Sequence, residues 1–443
     1  MRSAVVRAAY NLVLPPLLVA ALPAQWRKMR QRGGTAQDLK ERLGWFRPAT
    51  VARLASLEKP WWIHAVSVGE VLVAAKLIAA VRKLDPGQPL LLSTTTTTGH
   101  ALAQRELPPD VPVVYNPVDL PGAVRRALDV ARPGRLILVE AEVWPNWVHQ
   151  AHEAGLEVVL VNARLSPRSE RRYRAARWLV APLLAQLDRV LVPEPEDTDR
   201  WSAIGVRPQA VRVTGNLKHD YHGWNGDPRT PAFSNRLASV WNAPLPPILL
   251  AASTHPGEEV LIARAFLDLR LTHPNLRLIV VPRHAERSGS VAADLSALGI
   301  KVLRRSMTTD PSTTDATTPP LDALLIDTTG ELRAWYPLAT AVVVGKSFLG
   351  RGGQNPVEAL MAGRPVITGP HMENFASLMS SLTAHSAIIQ VPDESRLVSA
   401  LSELLASPEH SSRLAAAAHT ALAHHQGAAR RSAEILLGRA TSE

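Results

Sequence analysis

From residue 60 onward, short apolar runs recur, separated by stretches whose apolar residues fall at helical spacing. The first series is "WWIHAV", "PLLLSTTT", "VPVVYN", "RLILVEAE", "LEVVLVNA", "RVLVPE" and "AVRVTG". Runs this short and rich in Val, Ile and Leu predict buried strands, and "VLVAAKLIAAVRKL", "PNWVHQAHEAG" and "EDTDRWSAIG" predict helices between them. From Tyr221 to Pro247 the periodicity lapses into Gly, Asn and Pro and reads as a linker. A second series follows: "PILLAAS", "LRLIVVP", "IKVLRR", "DALLID", "AVVVGK", "RPVITG" and "AIIQV". Alternating strands and helices predict βαβ units, hence an α/β fold of two Rossmann-like, doubly wound parallel sheets. The expected domains are 34–225 and 226–443, the second with the terminal helices. Ligands are expected in a cleft at the carboxyl ends of both sheets. The polar stretch 304–320 cannot form core and is expected to be a mobile surface loop.

Residues 1–33 stand apart. The segment Ala8–Trp26 is nineteen residues without a charge, just enough for ~30 Å of hydrocarbon, and it ends in the basic "WRKMRQR". A basic flank in place of a small-residue cleavage site argues against a cleaved signal peptide. Pro15, Pro16 and Pro23 argue against a straight spanning helix, so a partly inserted anchor with its basic flank on the cytoplasmic side is an equal reading. Either reading makes the chain membrane-associated.

Composition narrows the function classes. A chain of 443 residues with 46% apolar and 20% charged residues is an ordinary globular one, long enough for two cores. With no cysteines there is no disulfide, thiolate metal site or cysteine nucleophile. The net charge of +10 suits either nucleic acid or anionic lipid and phosphorylated substrates. The arginines cluster at "WRKMRQR" and "ARLSPRSERRYRAARW", without zinc-finger spacing or an aromatic-interleaved basic sheet, which favours lipid over nucleic acid, so no nucleic-acid partner is expected.

Candidate chemistry lies in the strand-end loops. "HAVSVGE" sets Glu70 in a strand-to-helix turn or first helical turn, either to complement the helix dipole or to take a proton. A helix N-terminus lowers a carboxylate's pKa, so Glu70 is expected to be ionised and a weakened base. In Gly345–Leu360, Gly350, Gly352 and Gly353 permit close backbone approach. Asn355–Pro356 then opens a helix with Pro at its first position and Glu358 in its first turn. Such a start offers N–H groups to a phosphate, and Glu358 could bind ribose hydroxyls or serve the dipole for ~0.3–1 kcal/mol. Arg283 is either an anion clamp or a solvated loop charge. Asp197-Thr198-Asp199 reads as helix-start acids rather than a metal motif. His219, Asp220 and His222 lack the further ligands a metal needs, and His64 reads as a satisfied core histidine.

The loops "HAVSVGE", "EAEVWPN", "NARLS", "VTGNLKHD", "STHPGEE", "VPRHAER", "DTTGEL", "GRGGQNPVEAL" and "GPHMENF" resemble, in order and spacing, the 3-deoxy-D-manno-octulosonic acid (Kdo) transferases of lipopolysaccharide biosynthesis. The resemblance implies a GT-B glycosyltransferase, inverting, metal-independent and without cofactor. It further implies transfer of Kdo from CMP-Kdo to the lipid A precursor (lipid IVA) on the cytoplasmic side of the cell inner membrane. By position, Glu70 matches the family's base, and Glu140 and Lys218 match its transition-state stabilisers. Pro282, Arg283, Thr329, Gly330, Glu331, Asn355, Pro356, Val357 and Glu358 match its CMP contacts. The chain departs from the family pattern at Ala141 and Val143, at Thr329 in place of Met, at Lys346 in place of a second Gly, and at Gln354 in place of His. Two other readings compete: a GT-B enzyme of envelope lipid synthesis using a UDP-sugar, and a non-catalytic membrane-docked binder of anionic lipid or nucleic acid.

Overall fold

The structure, a computed structural model, describes residues 2–31, 33–221, 226–307 and 321–439. Every quoted apolar run contains a strand. In the first series these are β1 (Trp61–His64), β2 (Leu90–Thr94), β3 (Val113–Tyr115), β4 (Arg135–Val139), β5 (Glu157–Val161), β6 (Arg189–Val192) and β7 (Val211–Val213). They form one sheet in the order β3-β2-β1-β4-β5-β6-β7, parallel throughout. The second series gives β8 (Ile248–Thr254), β9 (Arg277–Pro282), β10 (Val302–Arg304), β11 (Ala323–Leu325), β12 (Ala341–Val344), β13 (Val366–Thr368) and β14 (Ile389–Gln390). Their order is β10-β11-β9-β8-β12-β13-β14, again parallel. Each sheet therefore has one switch point, β1/β4 in the first and β8/β12 in the second, where the chain's progress across the sheet reverses.

The continuous apolar runs follow from burial on both faces. Trp62, Leu136, Leu138, Val158 and Leu160 pack into one layer of the first sheet's core. Their neighbours Trp61, Ile63, Ile137, Val139, Val159 and Val161 pack into the other. Trp62 meets Trp147 edge to face, ring centroids 4.8 Å apart at 88°, a favoured aromatic geometry.

The chain divides into two compact units, Met1–His222 with His424–Glu443, and Gly223–Ala423. This differs from the expected 226–443 domain at its end, because the last helix, Ala428–Leu436, belongs to the first unit. Its Ala428, Ala429, Ala433 and Leu436 join the core layer that holds Val71, Ala74, Ile78 and Val81 of the helix Val68–Leu84. Small side chains let the two helices approach closely. Polar contacts fasten the same segment. The Asp220 carboxylate accepts the N–H groups of Gly427 (2.9 Å) and Ala429 (2.7 Å), and Arg431 donates to the Thr214 carbonyl (2.9 Å). His424 meets Glu194 at 2.9 Å.

The presumed linker also holds a helix, Thr230–Trp241, with Phe233, Leu237 and Trp241 buried. One apolar residue per turn was too sparse a signal beside the Gly, Asn and Pro around it. The expected loop falls mostly on residues 308–320, outside the described residues. At the N-terminus a single helix, Arg2–Gln31, runs past all three prolines. Its segment Val6–Gln31 is long and apolar enough to cross a membrane, and Leu12, Leu17 and Val19 are exposed. The helix is not detached: the Asn11 side chain accepts from the buried Asn146 amide (2.7 Å).

Asp220→Ala should strand two N–H donors at the start of the last helix. Its expected cost, about 1–3 kcal/mol, is measurable as a lowered urea midpoint. An unchanged midpoint would show that the helix is held by its alanine face alone.

Candidate active site

In the first unit, Glu70 occupies the first turn of the helix Val68–Leu84, whose N-cap is Ser67. "SVGE" is the capping-box spacing, but here the box is rearranged. The Glu70 carboxylate accepts the Val66 N–H (2.8 Å) and the Ser67 hydroxyl (2.8 Å). Ser67 is therefore part of the acid's setting, which the sequence reading passed over.

Glu140 directly follows β4 and Lys218 lies in the single helical turn Leu217–His219 after β7. Their side chains form an ion pair. The Lys218 ammonium also lies 3.8 Å from where a Cβ on Gly69 would stand, so Glu70, Glu140 and Lys218 share one site. Glu140 is held at φ 63°, and Asn162, directly after β5, at φ 56°; positive φ in residues other than glycine costs energy and clusters at functional sites. The Asn162 side chain accepts the Leu217 N–H (3.0 Å). Lys76, two turns along the helix from Glu70, donates to the carbonyls of Leu217 (2.8 Å), Lys218 (3.2 Å) and Asp220 (2.8 Å). Lys76 and Asn162 thus fix the turn that carries Lys218. Neither was legible in sequence, since a helix-face lysine and a loop asparagine have many uses.

The charge state of Glu70 departs from expectation. Burial pushes its pKa above the usual carboxylate range; the two hydrogen bonds and Lys218 oppose this, while the charge of Glu140 adds to it. Burial outweighs the helix N-terminus because the residue is only 7% exposed. Glu142, two residues past Glu140, is raised to about 7 by burial, then by the charge of Glu70. Its carboxylate accepts from the Trp144 indole (3.0 Å).

The discounted groups have structural employment. His64 is wholly buried, its Nδ1 3.0 Å from the Ser93 hydroxyl, though Nε2 lacks a partner, so the core histidine is only half satisfied. Asp197 pairs with Arg200 (2.6 Å) in the first turns of the helix Pro195–Ile204. Asp220 fastens the last helix, and His222 lies outside the described residues. Glu194, His424 and His425 bring donor atoms within 4.8 Å of one another. His425 Nδ1, however, accepts the Asn216 N–H (3.2 Å), which leaves the ring proton on Nε2, facing Glu194 at 3.5 Å. That tautomer suits a hydrogen-bonded clip rather than a cation ligand.

In the second unit the predicted donor residues lie at the carboxyl ends of β9, β11 and β12. Pro282 ends β9, and the Arg283 N–H donates to the Thr254 carbonyl (3.0 Å) while its side chain is exposed. Thr329 and Gly330 are exposed, and the Gly330 carbonyl accepts from Arg229 (2.8 Å). Glu331 pairs with Arg305 at 3.4 Å. The helix after the glycine-rich loop is short, Val357–Met361, with Pro356 as N-cap in place of first residue, Glu358 in the first turn, and the Val357 N–H donating to the Asn355 side chain (3.1 Å). The Gln354 side chain approaches His255 at 3.1 Å, which ties the β12 loop to the β8 loop.

A family model described as "3-Deoxy-D-manno-octulosonic-acid transferase (kdotransferase)" matches residues 37–221. The 3-deoxy-D-manno-octulosonic acid transferase of Bordetella pertussis is 36% identical, over 97% of this chain and 98% of its own. That of Haemophilus influenzae is 31% identical, over 90% and 91%. The chain belongs to the Kdo transferase family. It is a glycosyltransferase of the Kdo-transferring kind in lipopolysaccharide biosynthesis. Its fold is of GT-B type. A UDP-GlcNAc 2-epimerase from Neisseria meningitidis, 13% identical, aligns over 86% of this chain and 100% of its own with TM-score 0.60.

For this Kdo transferase the raised carboxylates set a pH dependence. If Glu70 must be ionised to accept a proton, turnover rises with pH across a window above the usual carboxylate range. An ionised Glu142 disfavours ionisation of Glu70, so Glu142→Gln should move that acid limb to lower pH. A limb unmoved in a pH–kcat/KM profile would show that the limb does not report Glu70 under the influence of Glu142.

Proposed function

We propose that the chain transfers Kdo from CMP-Kdo to the lipid A precursor, with inversion, without a metal, on the cytoplasmic side of the inner membrane. The observation that carries the mechanism is the grouping of Glu70, Glu140 and Lys218 at the β1/β4 switch point of the first sheet. An inverting transfer requires one base on the face opposite the leaving group. Glu70 takes the proton of the acceptor hydroxyl as that oxygen bonds to the anomeric carbon of Kdo, and the bond to the phosphate oxygen breaks to release CMP. CMP is already a good leaving group, so its departing charge needs cations and N–H donors rather than a general acid. Lys218, oriented by Glu140, offsets negative charge in the transition state. Pro282, Arg283, Thr329–Glu331 and Asn355–Glu358 form the CMP contacts.

For the acceptor and the membrane, the support is chemical. The helix Pro167–Ala175 presents Arg168, Arg171, Arg172 and Arg174 exposed, and Trp178 beyond it is 73% exposed. Guanidinium groups beside an exposed indole suit a phosphorylated lipid at an anionic surface. The apolar N-terminal helix adds an anchor.

The deciding experiment is in vitro transfer from CMP-Kdo to lipid IVA, with product mass counting the sugars. Glu70→Gln should reduce turnover at least 10²-fold, the usual range for a general base, while CMP still raises the Tm. Near wild-type turnover would remove Glu70 from the mechanism. Stabilisation by UDP and not CMP would favour a UDP-sugar donor. Excess EDTA should leave the rate unchanged, and a lost rate restored by a divalent cation would refute the metal-independent reading.

A further inference from the structure

The second sheet reverses at β8/β12, and the two strand-end loops there are locked together by one buried acid. Glu258 is completely buried. Its carboxylate accepts four backbone N–H groups: His255 (2.9 Å), Lys346 (2.6 Å), Ser347 (3.0 Å) and Phe348 (3.1 Å). A Cβ on Gly345 would lie 2.5 Å from the Ser253 carbonyl oxygen and 2.6 Å from the Thr254 Cα. The loops therefore meet at a distance only glycine allows.

Lys346 sits in this lock at φ 56°, a conformation that glycine adopts freely and lysine does not. Its N–H is held by Glu258, and its carbonyl accepts the Gly353 N–H (3.1 Å). With both backbone groups fixed, the direction in which the side chain leaves the backbone is set, and its Cγ lies 3.0 Å from where a Cβ on Gly350 would stand. Among the described residues the Lys346 ammonium has no ion-pair or hydrogen-bond partner. A strained backbone, rigidly braced, thus carries a half-buried and unspent cation at the sheet's switch point, where ligands of open α/β sheets bind. The neighbouring His255 is kept neutral more readily than usual, by burial first and by the charge of Lys346 among other causes, so it does not supply the positive charge there.

We infer that Lys346 binds an oxyanion of the sugar-nucleotide donor, with Glu258 as the positioning residue that aims it. This rests on the CMP-Kdo reading. That donor carries two oxyanions, the phosphodiester and the sugar carboxylate, and the lysine's chemistry suits both.

The test uses the full chain and three substitutions. K346M keeps length and strain without charge, K346G removes both charge and strain, and K346R keeps the charge. K346M and K346G should each raise KM for CMP-Kdo about tenfold, the usual scale for one charge-assisted contact, with kcat little changed, and K346R should restore most of it. The Tm of K346G should equal or exceed that of the wild type, because glycine tolerates the φ; a weakened KM then cannot come from unfolding. If the contact is to phosphate, the inhibition constant of CMP rises in parallel while that of cytidine does not. If it is to the sugar carboxylate, CMP inhibition is unchanged. A KM within twofold of wild type in both K346M and K346G overturns the inference while leaving the CMP-Kdo reading intact. A wild-type enzyme that neither uses CMP-Kdo nor binds CMP removes that reading, and the inference with it.

Discussion

A parallel strand that turns directly into a helix leaves N–H groups in the turn without partners, and at buried strand ends water cannot supply them. In this chain carboxylates meet that demand. Glu70 takes the Val66 N–H, Glu258 takes four from two loops, Asp119 takes those of Asn146 and Trp147, and Asp220 takes two at the last helix. Each bond fixes backbone, and at Lys346, after β12, the bond to Glu258 holds a residue at positive φ, a conformation also found at Glu140, Asn162 and Ser253 at the carboxyl ends of β4, β5 and β8. The chemistry-bearing side chains of both units therefore stand on braced rather than flexible loops.

The same arrangement makes the electrostatics of the first unit uneven. Glu70, Glu140 and Glu142 influence one another, and Lys218 pairs with Glu140 rather than with Glu70. With the ammonium paired to one acid, the others ionise reluctantly, through burial first and the neighbouring like charges after it. The strength of the pair depends on the turn Leu217–His219 staying in place, and Lys76 and Asn162 hold that turn through its backbone. Residues that act only on backbone thereby bear on the charge state of Glu70.

How much of this was legible follows from what each level requires. The fourteen strands among the described residues could be read because the central ones, buried on both faces, are apolar along their length, and the intervening helices are long enough to show a period. The helix Thr230–Trp241 could not, since it buries a single stripe of Phe233, Leu237 and Trp241. The return of Ala428–Leu436 to the first unit was hidden because alanines at close helix contacts look the same wherever they pack. In the site, the acids and Lys218 were visible through their loops. Their partners were not, because a lysine that donates to carbonyls 141 to 144 residues away leaves no local pattern. The raised pKa of Glu70 is hidden for a related reason: the helix N-terminus can be seen in sequence, whereas burial of the carboxylate cannot.

A carboxylate kept strongly acidic by a helix dipole would be ionised at every physiological pH yet a poor proton acceptor. General base catalysis is most effective when the pKa lies near the working pH, since basicity and the fraction ionised trade against each other. Burial raises the Glu70 pKa, and the Val66 N–H and Ser67 hydroxyl oppose that rise. Either hydrogen bond alone would leave one carboxylate oxygen without a donor. Together they occupy one lone pair on each oxygen and leave the others open to a further donor, which the proposed acceptor hydroxyl would supply. The helix start thus contributes directional donors more than a field, and the basicity of Glu70 reflects the opposition of those donors to burial and to the charge of Glu140.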